Sequence, residues 1–335
     1  MNFVSGFRAG LGTGDFDPVY ETSDETSNPL GRVAVLLATH NGERYLAEQL
    51  RSIEDQTWSR IDILVSDDAS SDSTLGQLED HMARWPKGRF SVVEGPNRGF
   101  SENFRSLILR HEPQRADYVA FCDQDDIWNA DKLENAIAWL SSQPANTPAL
   151  YCGRTLNFRS GRESFSPLFR KPPCFQNALV QSIAGGNTMV MNRCAFAILR
   201  KAARRGPFVS HDWFSYMLIT GAGGRVFYNP VPDIRYRQHE GNLVGENNSW
   251  GARVLRMRYF LQGRFRDWTD RNLANLEACE DLLNDESRRT LALFREARTA
   301  RLHRRMALLF GSGVFRQTFK GQLGLFVLGG LFRLI

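Results

Sequence analysis

Four apolar runs, each followed by an amphipathic segment, restrict this chain to an α/β layout. VAVLLAT precedes ERYLAEQLRSIEDQ, IDILVSD precedes STLGQLEDHMARW, FSVVEG precedes FSENFRSLILR, and YVAFCD precedes ADKLENAIAWL. The first member of each pair is short and rich in β-branched or aromatic residues, while the second repeats its apolar residues at helical spacing. Strands alternating with helices predict a mainly parallel sheet with helices on both faces. Ligands of such sheets bind beyond the carboxyl ends of the strands, where the loops open a crevice. The polar clusters of this chain fall there: THNGE after the first strand, DDASSDS after the second, GPNRGF after the third and DQDD after the fourth. The first turn carries no GxGxxG, which excludes the glycine-cradled dinucleotide site of a Rossmann dehydrogenase.

DQDD is the sharpest of these clusters. Asp123, Asp125 and Asp126 close an apolar strand within four positions and repel one another unless a positive group sits among them. An acidic N-cap for the helix starting near Ala130 would need one acceptor, supplied by Asp126 or Asn129, and not three acids. A divalent cation neutralising the diphosphate of a nucleotide sugar accounts for the acids together, because hard carboxylate oxygens suit magnesium or manganese. Asp123 and Asp125, one residue apart, are the expected pair.

Beyond Leu140 the alternation loosens. ALYCGRTLNF, NTMVMN and the stretch from Arg225 to Tyr236 are expected as strands, and CAFAILRKAARR and HDWFSYMLIT as helices. The 335-residue chain is 42% hydrophobic and 24% charged, enough to bury a full core and ordinary for a globular protein. Its five cysteines are odd in number, scattered and without a CxxC pair, as expected of reduced thiols and not of a disulfide framework or zinc site. Residues 1–31, rich in Gly, Ser, Thr and acids without an apolar core, are expected as a flexible leader.

Seven blocks in order, ATHNGERYLAEQLRSIEDQTW, ILVSDDASSDST, GPNRGFSENF, FCDQDDIW, AGGNTMVMN, HDWF and RQHEGNLVG, resemble family 2 glycosyltransferases of the GT-A fold, in particular their bacterial rhamnosyltransferase-like branch. The resemblance runs from about residue 33 to residue 245, and implies a GT-A catalytic domain over 32–248 with a basic helical C-terminal region over 249–335. It implies a nonprocessive, inverting, metal-dependent transfer of one sugar, L-rhamnose from dTDP-L-rhamnose, to a glycan or lipid-linked acceptor in cell-surface polysaccharide synthesis. By that resemblance Thr39, Asn41, Glu43 and Asp67 hold the nucleotide, Asp68 orients its loop or meets the ribose, and Arg98 approaches the diphosphate or base. Asp123 serves both the donor and the metal. Asp212 of HDWF is the base that takes the acceptor proton, and His239 joins Asp123 and Asp125 on manganese or magnesium.

AGGNTMVMN reads as an acceptor loop: Gly185 and Gly186 carry no side chain to block a sugar, and Asn187 can bond a hydroxyl. Trp213 and Trp128 are candidates to stack on sugar faces, or core residues. A processive synthase would carry QxxRW and membrane spans, and QGRFRDW only superficially resembles that motif. A nucleotidyltransferase would need a glycine-rich basic loop after the first strand, where THNGE stands. A binding module that has lost catalysis has no need of intact DQDD and HDW blocks.

Base is concentrated at the C-terminus, with 16 Lys and Arg against 8 Asp and Glu from residue 251 onward, leaving 26 against 29 before it. The arginines accompany apolar residues at helical spacing and form no open strip for nucleic acid. The final GQLGLFVLGGLFRLI is too short for a membrane span. Leu323, Leu325, Phe326, Val327, Leu328, Leu331, Phe332, Leu334 and Ile335 are expected to enter the membrane interface, placing a cytoplasmic enzyme peripherally at the inner face of the plasma membrane. The competing reading packs this tail onto the catalytic domain or onto a second copy in a homodimer.

Overall fold

The computed structural model describes residues 31–159, 161–239 and 264–331. Residues 1–30 of the expected leader lie outside these residues, as do the RQHEGNLVG block after His239 and the last residues of the tail. All four strand–helix units form. β1 (Val33–Thr39), β2 (Ile61–Asp67), β3 (Phe90–Glu94) and β4 (Tyr118–Cys122) are followed by α1 (Leu46–Glu54), α2 (Thr74–Met82), α3 (Phe100–Arg110) and α4 (Lys132–Ser141). The four strands pair in parallel in the order β4-β1-β2-β3. Period-two alternation splits β1 between two cores. Val33, Val35 and Leu37 join α1 and α4, while Ala34 and Leu36 join α3 on the opposite face.

The second half completes the sheet and adds a smaller one. β6 (Ala149–Gly153), β9 (Val190–Asn192) and β10 (Arg225–Asn229) extend the large sheet to seven strands in the order β10-β6-β9-β4-β1-β2-β3. β9 is antiparallel to both its neighbours. β5 (Ile127–Trp128), β7 (Leu156–Arg159), β8 (Arg162–Phe165) and β11 (Ile234–Arg237) form a four-stranded sheet ordered β5-β11-β7-β8. Two expected single strands are therefore each two. The chain leaves the large sheet after Gly153 and again after Asn229, where Pro230 and Pro232 cannot donate to a ladder. Both excursions resume side by side as the parallel pair β7 and β11. That jump carries Arg237 and His239 to the far side of the DQDD turn.

Helices α5 (Phe175–Ala178), α6 (Arg193–Ala203) and α7 (His211–Gly221) pack on the Ala34 and Leu36 face. So do α8 (Arg264–Ala278), α9 (Asp285–Thr299) and α10 (Leu302–Gly311), through Leu273, Leu276, Phe294 and Leu309. The tail follows as α11 (Phe319–Gly324) and a π-helical turn over Leu325–Leu331. Here the expectation of a wholly interfacial tail is corrected. Leu325 is buried in the same core, Phe326 packs against it, and Arg305 donates to the carbonyls of Ala300 and Gly330, tying the turn to α10. Phe319 and Leu323 remain 84% and 56% exposed. Among the described residues no helix is long and apolar enough to cross a membrane.

Candidate active site

The carboxyl ends of β1 and β2 are stitched into one platform. The Thr39 hydroxyl donates to Asp67 (2.8 Å), whose carboxylate also receives the Ser70 amide (2.9 Å) and hydroxyl (2.6 Å). Asn41, in left-handed backbone at φ 47°, accepts from the Ser71 amide (2.8 Å), and Glu43 accepts from the Ser73 amide (3.1 Å) and hydroxyl (2.9 Å). Gln124 spans from the acidic turn to this platform, accepting from the His40 amide and donating to its carbonyl. A Cβ at Gly42 would stand 2.8 Å from the Gln124 side-chain carbon, so this glycine is required by a close approach. The buried Asp68 is an organiser of the next loop. Its two oxygens receive the amides of Asn97 (2.6 Å) and Gly99 (2.8 Å), both in left-handed conformation. Arg98, held between them, is exposed and makes no ion pair or hydrogen bond among the described residues.

The acidic turn lies beyond β4. Asp126 is fully buried, receives the Asn187 side-chain amide and the Arg237 backbone amide (3.1 Å), and is pushed up to about 7 by burial and then by the neighbouring Asp125 charge. Asp123 is held well above the usual carboxylate range by its enclosure, with the charges of Asp126, Asp125 and Asp212 adding to it. Asp125 contacts the His239 imidazole at 2.7 Å. Behind the turn, the ammonium of buried Lys132 sits 3.4 Å over the Trp128 ring, and burial lowers it to about 8.

Carboxylates crowded in this way, with the oxygen–nitrogen pair of Asp125 and His239 beside them, are a donor set of the chemistry a divalent cation takes. Of the expected trio of Asp123, Asp125 and His239, the structure brings Asp125 and His239 into contact; among the described residues no three His, Cys, Asp or Glu side chains form a group that could by themselves hold a metal ion. What fits is a cation held by the Asp125 side of the turn and completed by oxygens of a ligand. Space for that ligand is present. A cleft of about 680 Å³ is lined by Asn41, Gly42, Tyr45, Asp125, Phe158, Arg237 and His239, with Arg44 and Arg159 on its wall.

Asp212 stands in the first turn of α7, half-buried, with one oxygen on the amide of its own neighbour Trp213 (2.7 Å). The cap position belongs to Ser210, and Asp212 has no cationic partner among the described residues. His211 points elsewhere, as adjacent helix positions must. It is buried, stacked on Phe104 at 3.7 Å and edge-on to Phe121 at 4.7 Å, with neither ring nitrogen hydrogen-bonded, and burial lowers it to about 4.

Three expected acceptor residues turn out to be interior. A Cβ at Gly186 would lie 2.8 Å from Cε1 and 3.0 Å from Cδ2 of His211 and nearer still to Nε2, so the missing side chain makes room for a histidine and not for a sugar. Asn187 is buried and spends its amide on Asp126. Trp213 is buried against Phe265, its indole N–H donating to the Ala178 carbonyl at 2.7 Å, and Trp128 is buried under Lys132. The reading of the sequence missed Tyr45, Phe158 and Arg237. Tyr45 and Arg237 sit inside blocks already singled out, whereas Phe158 reaches the cleft only through the strand jump after Gly153.

Comparison with known proteins agrees with this layout. The model of the family described as Glycosyl transferase family 2 matches residues 34–206. The dTDP-rhamnosyl transferase RfbG of Shigella flexneri is 31% identical over 259 residues, covering 75% of this chain and 87% of that protein. The UDP-Glc:alpha-D-GlcNAc-diphosphoundecaprenol beta-1,3-glucosyltransferase WfgD of Escherichia coli is 28% identical over 108 residues, 32% of this chain and 40% of that one. Among solved structures, S. aureus TarS 1-349 in complex with UDP-GlcNAc superposes with a TM-score of 0.53 at 16% identity, over 84% of this chain and 79% of the other, a likeness of fold. A family match over half the chain, together with a relative matched along most of its own length, settles the assignment: this protein is a glycosyltransferase of family 2, with the GT-A fold.

Proposed function

We propose that the protein transfers a single L-rhamnose from dTDP-L-rhamnose, with inversion at the anomeric carbon, to a glycan or lipid-linked glycan acceptor in cell-surface polysaccharide synthesis. The likeness to a dTDP-rhamnosyl transferase along most of both chains supports the donor. The observation that carries the chemistry is the carboxylate arrangement: Asp212, bonded only to its own helix, lies within electrostatic reach of Asp123 in the turn that also bears Asp125 and His239.

In this reading Thr39, Asn41, Glu43 and Asp67 shape the nucleoside floor, Asp68 holds the loop that presents Arg98, and the Arg98 guanidinium meets the diphosphate. Asp125 and His239, with Asp123 beside them, hold a manganese or magnesium ion, which when bound neutralises the negative charge growing on the diphosphate. Asp212 takes the proton of the acceptor hydroxyl as its oxygen bonds to the anomeric carbon. The bond from that carbon to the diphosphate oxygen breaks, and its electron pair leaves with dTDP. Among the described residues no cationic side chain pairs with the half-buried Asp212 carboxylate, whose one hydrogen bond is to the Trp213 amide. The reaction belongs at the cytoplasmic face of the membrane, with exposed Phe310, Phe319 and Leu323 beside Lys320 as the surface turned to the lipid.

The test is release of nucleoside diphosphate by purified protein from a panel of nucleotide sugars. The expected outcome is turnover of dTDP-L-rhamnose at least ~10-fold above the UDP- and GDP-sugars, an interval of roughly 1.4 kcal/mol in transition-state binding. Preference for another donor overturns the assignment.

A further inference from the structure

Arg237 holds three parts of the cleft at once. Its backbone amide donates to Asp126 (3.1 Å), its Nε donates to the backbone carbonyl of Asp125 (3.0 Å), and its terminal nitrogen pairs with Glu48 of α1. The guanidinium lies 4.6 Å from the centre of the Tyr45 ring and 4.7 Å from that of Phe158. Two residues on, His239 takes the Asp125 carboxylate. One short segment therefore grips successive residues of the acidic turn through main chain, side chain and a following imidazole.

The loop before α1, the acidic turn and β7 have no other common partner among these contacts. A guanidinium suits this place for two reasons. Its fixed fork serves the Asp125 carbonyl and Glu48 together, and its flat faces accept aromatic rings. An ammonium offers neither the fork nor the faces.

We infer that Arg237 is the positioning residue of the acidic turn, holding Asp125 in the orientation that meets the cation and the donor diphosphate. The inference rests on the cation-assisted reading above. Its test is manganese binding in the presence of dTDP, followed by electron paramagnetic resonance on wild type, Arg237→Lys and Tyr45→Leu, with melting temperatures measured alongside. Arg237→Lys should weaken manganese binding by roughly 10-fold, the scale of one lost hydrogen bond to a charged group. Tyr45→Leu, which removes one stacking face and leaves every hydrogen bond of Arg237 in place, should weaken it in the same direction by roughly 3-fold. Lower melting temperatures with unchanged manganese binding in both variants overturn the inference and leave Arg237 a purely structural pair. If Arg237→Lys does not fold, Tyr45→Leu alone decides. Wild-type protein that binds no manganese with dTDP removes the cation reading, and this inference with it.

Discussion

Gly186→Ala tests whether the glycine serves the substrate or the interior. The new Cβ would meet the His211 ring at 2.8 Å from Cε1 and 3.0 Å from Cδ2, against an ordinary contact of roughly 3.5–4 Å. The ring cannot retreat, since Phe104 is stacked 3.7 Å behind it and Phe121 stands at 4.7 Å, all buried. Overpacking of this kind costs about 1–3 kcal/mol, and the strain passes to the first turn of α7, where Asp212 follows His211 directly. A displacement of the proposed base by about 1 Å can cost roughly 100-fold in rate. Urea denaturation and nucleoside diphosphate release should therefore fall together. The same substitution made in a His211→Ala background should cost less than ~0.5 kcal/mol, because the clash is gone. A Gly186→Ala protein as stable as wild type but defective in transfer would refute this reasoning and return Gly186 to the acceptor site.

Asp212→Asn keeps the shape and removes the proton acceptor, so transfer should fall by roughly 100-fold or more with donor affinity nearly unchanged; an equal loss of donor affinity makes Asp212 a binding residue. His211 is lowered to about 4 from an unfolded value near 6.5, so the folded state prefers the neutral ring: its contribution is full above pH ~6.5 and is lost as pH falls toward 4. Urea denaturation of His211→Phe and wild type at several pH values should show the variant gaining on wild type by up to about 1.4 kcal/mol per pH unit across that window, and a pH-independent difference contradicts the burial. Full-length protein should float with anionic vesicles, and Phe319→Glu with Leu323→Glu should abolish flotation without changing the melting temperature. Flotation that survives both changes excludes this face.

Much of the fold is legible because the central strands β1 and β4 are buried on both faces. VAVLLAT has no polar interruption, and its helices announce their period, so β1 to α4 follow from pattern alone. The later strands do not. ALYCGRTLNF reads as one strand opening on an apolar run, yet Gly153 marks a change of sheet that depends on where β7 finds its partner β11. The site divides likewise. Carboxylates crowded at a strand end declare themselves by repulsion, whereas the role of Gly186 is set by His211, a residue far along the chain that only the packing of α7 brings near. Trp213 misleads for a related reason. An aromatic next to the proposed base suggests a sugar platform, but neighbouring helical positions diverge, and the face opposite Asp212 is the core. Arg237 became visible only when both strand jumps had placed β11 against the acidic turn.

The central claim is that the acidic turn holds dTDP-L-rhamnose through a divalent cation. Calorimetric titration of dTDP-L-rhamnose into wild-type protein and Asp125→Ala, each with manganese and with chelator, tests it directly. The account predicts tight binding only for wild type with manganese, weakened by at least ~10-fold by either the chelator or the substitution, and by no more when both are combined. Equal affinity in all four titrations would contradict it.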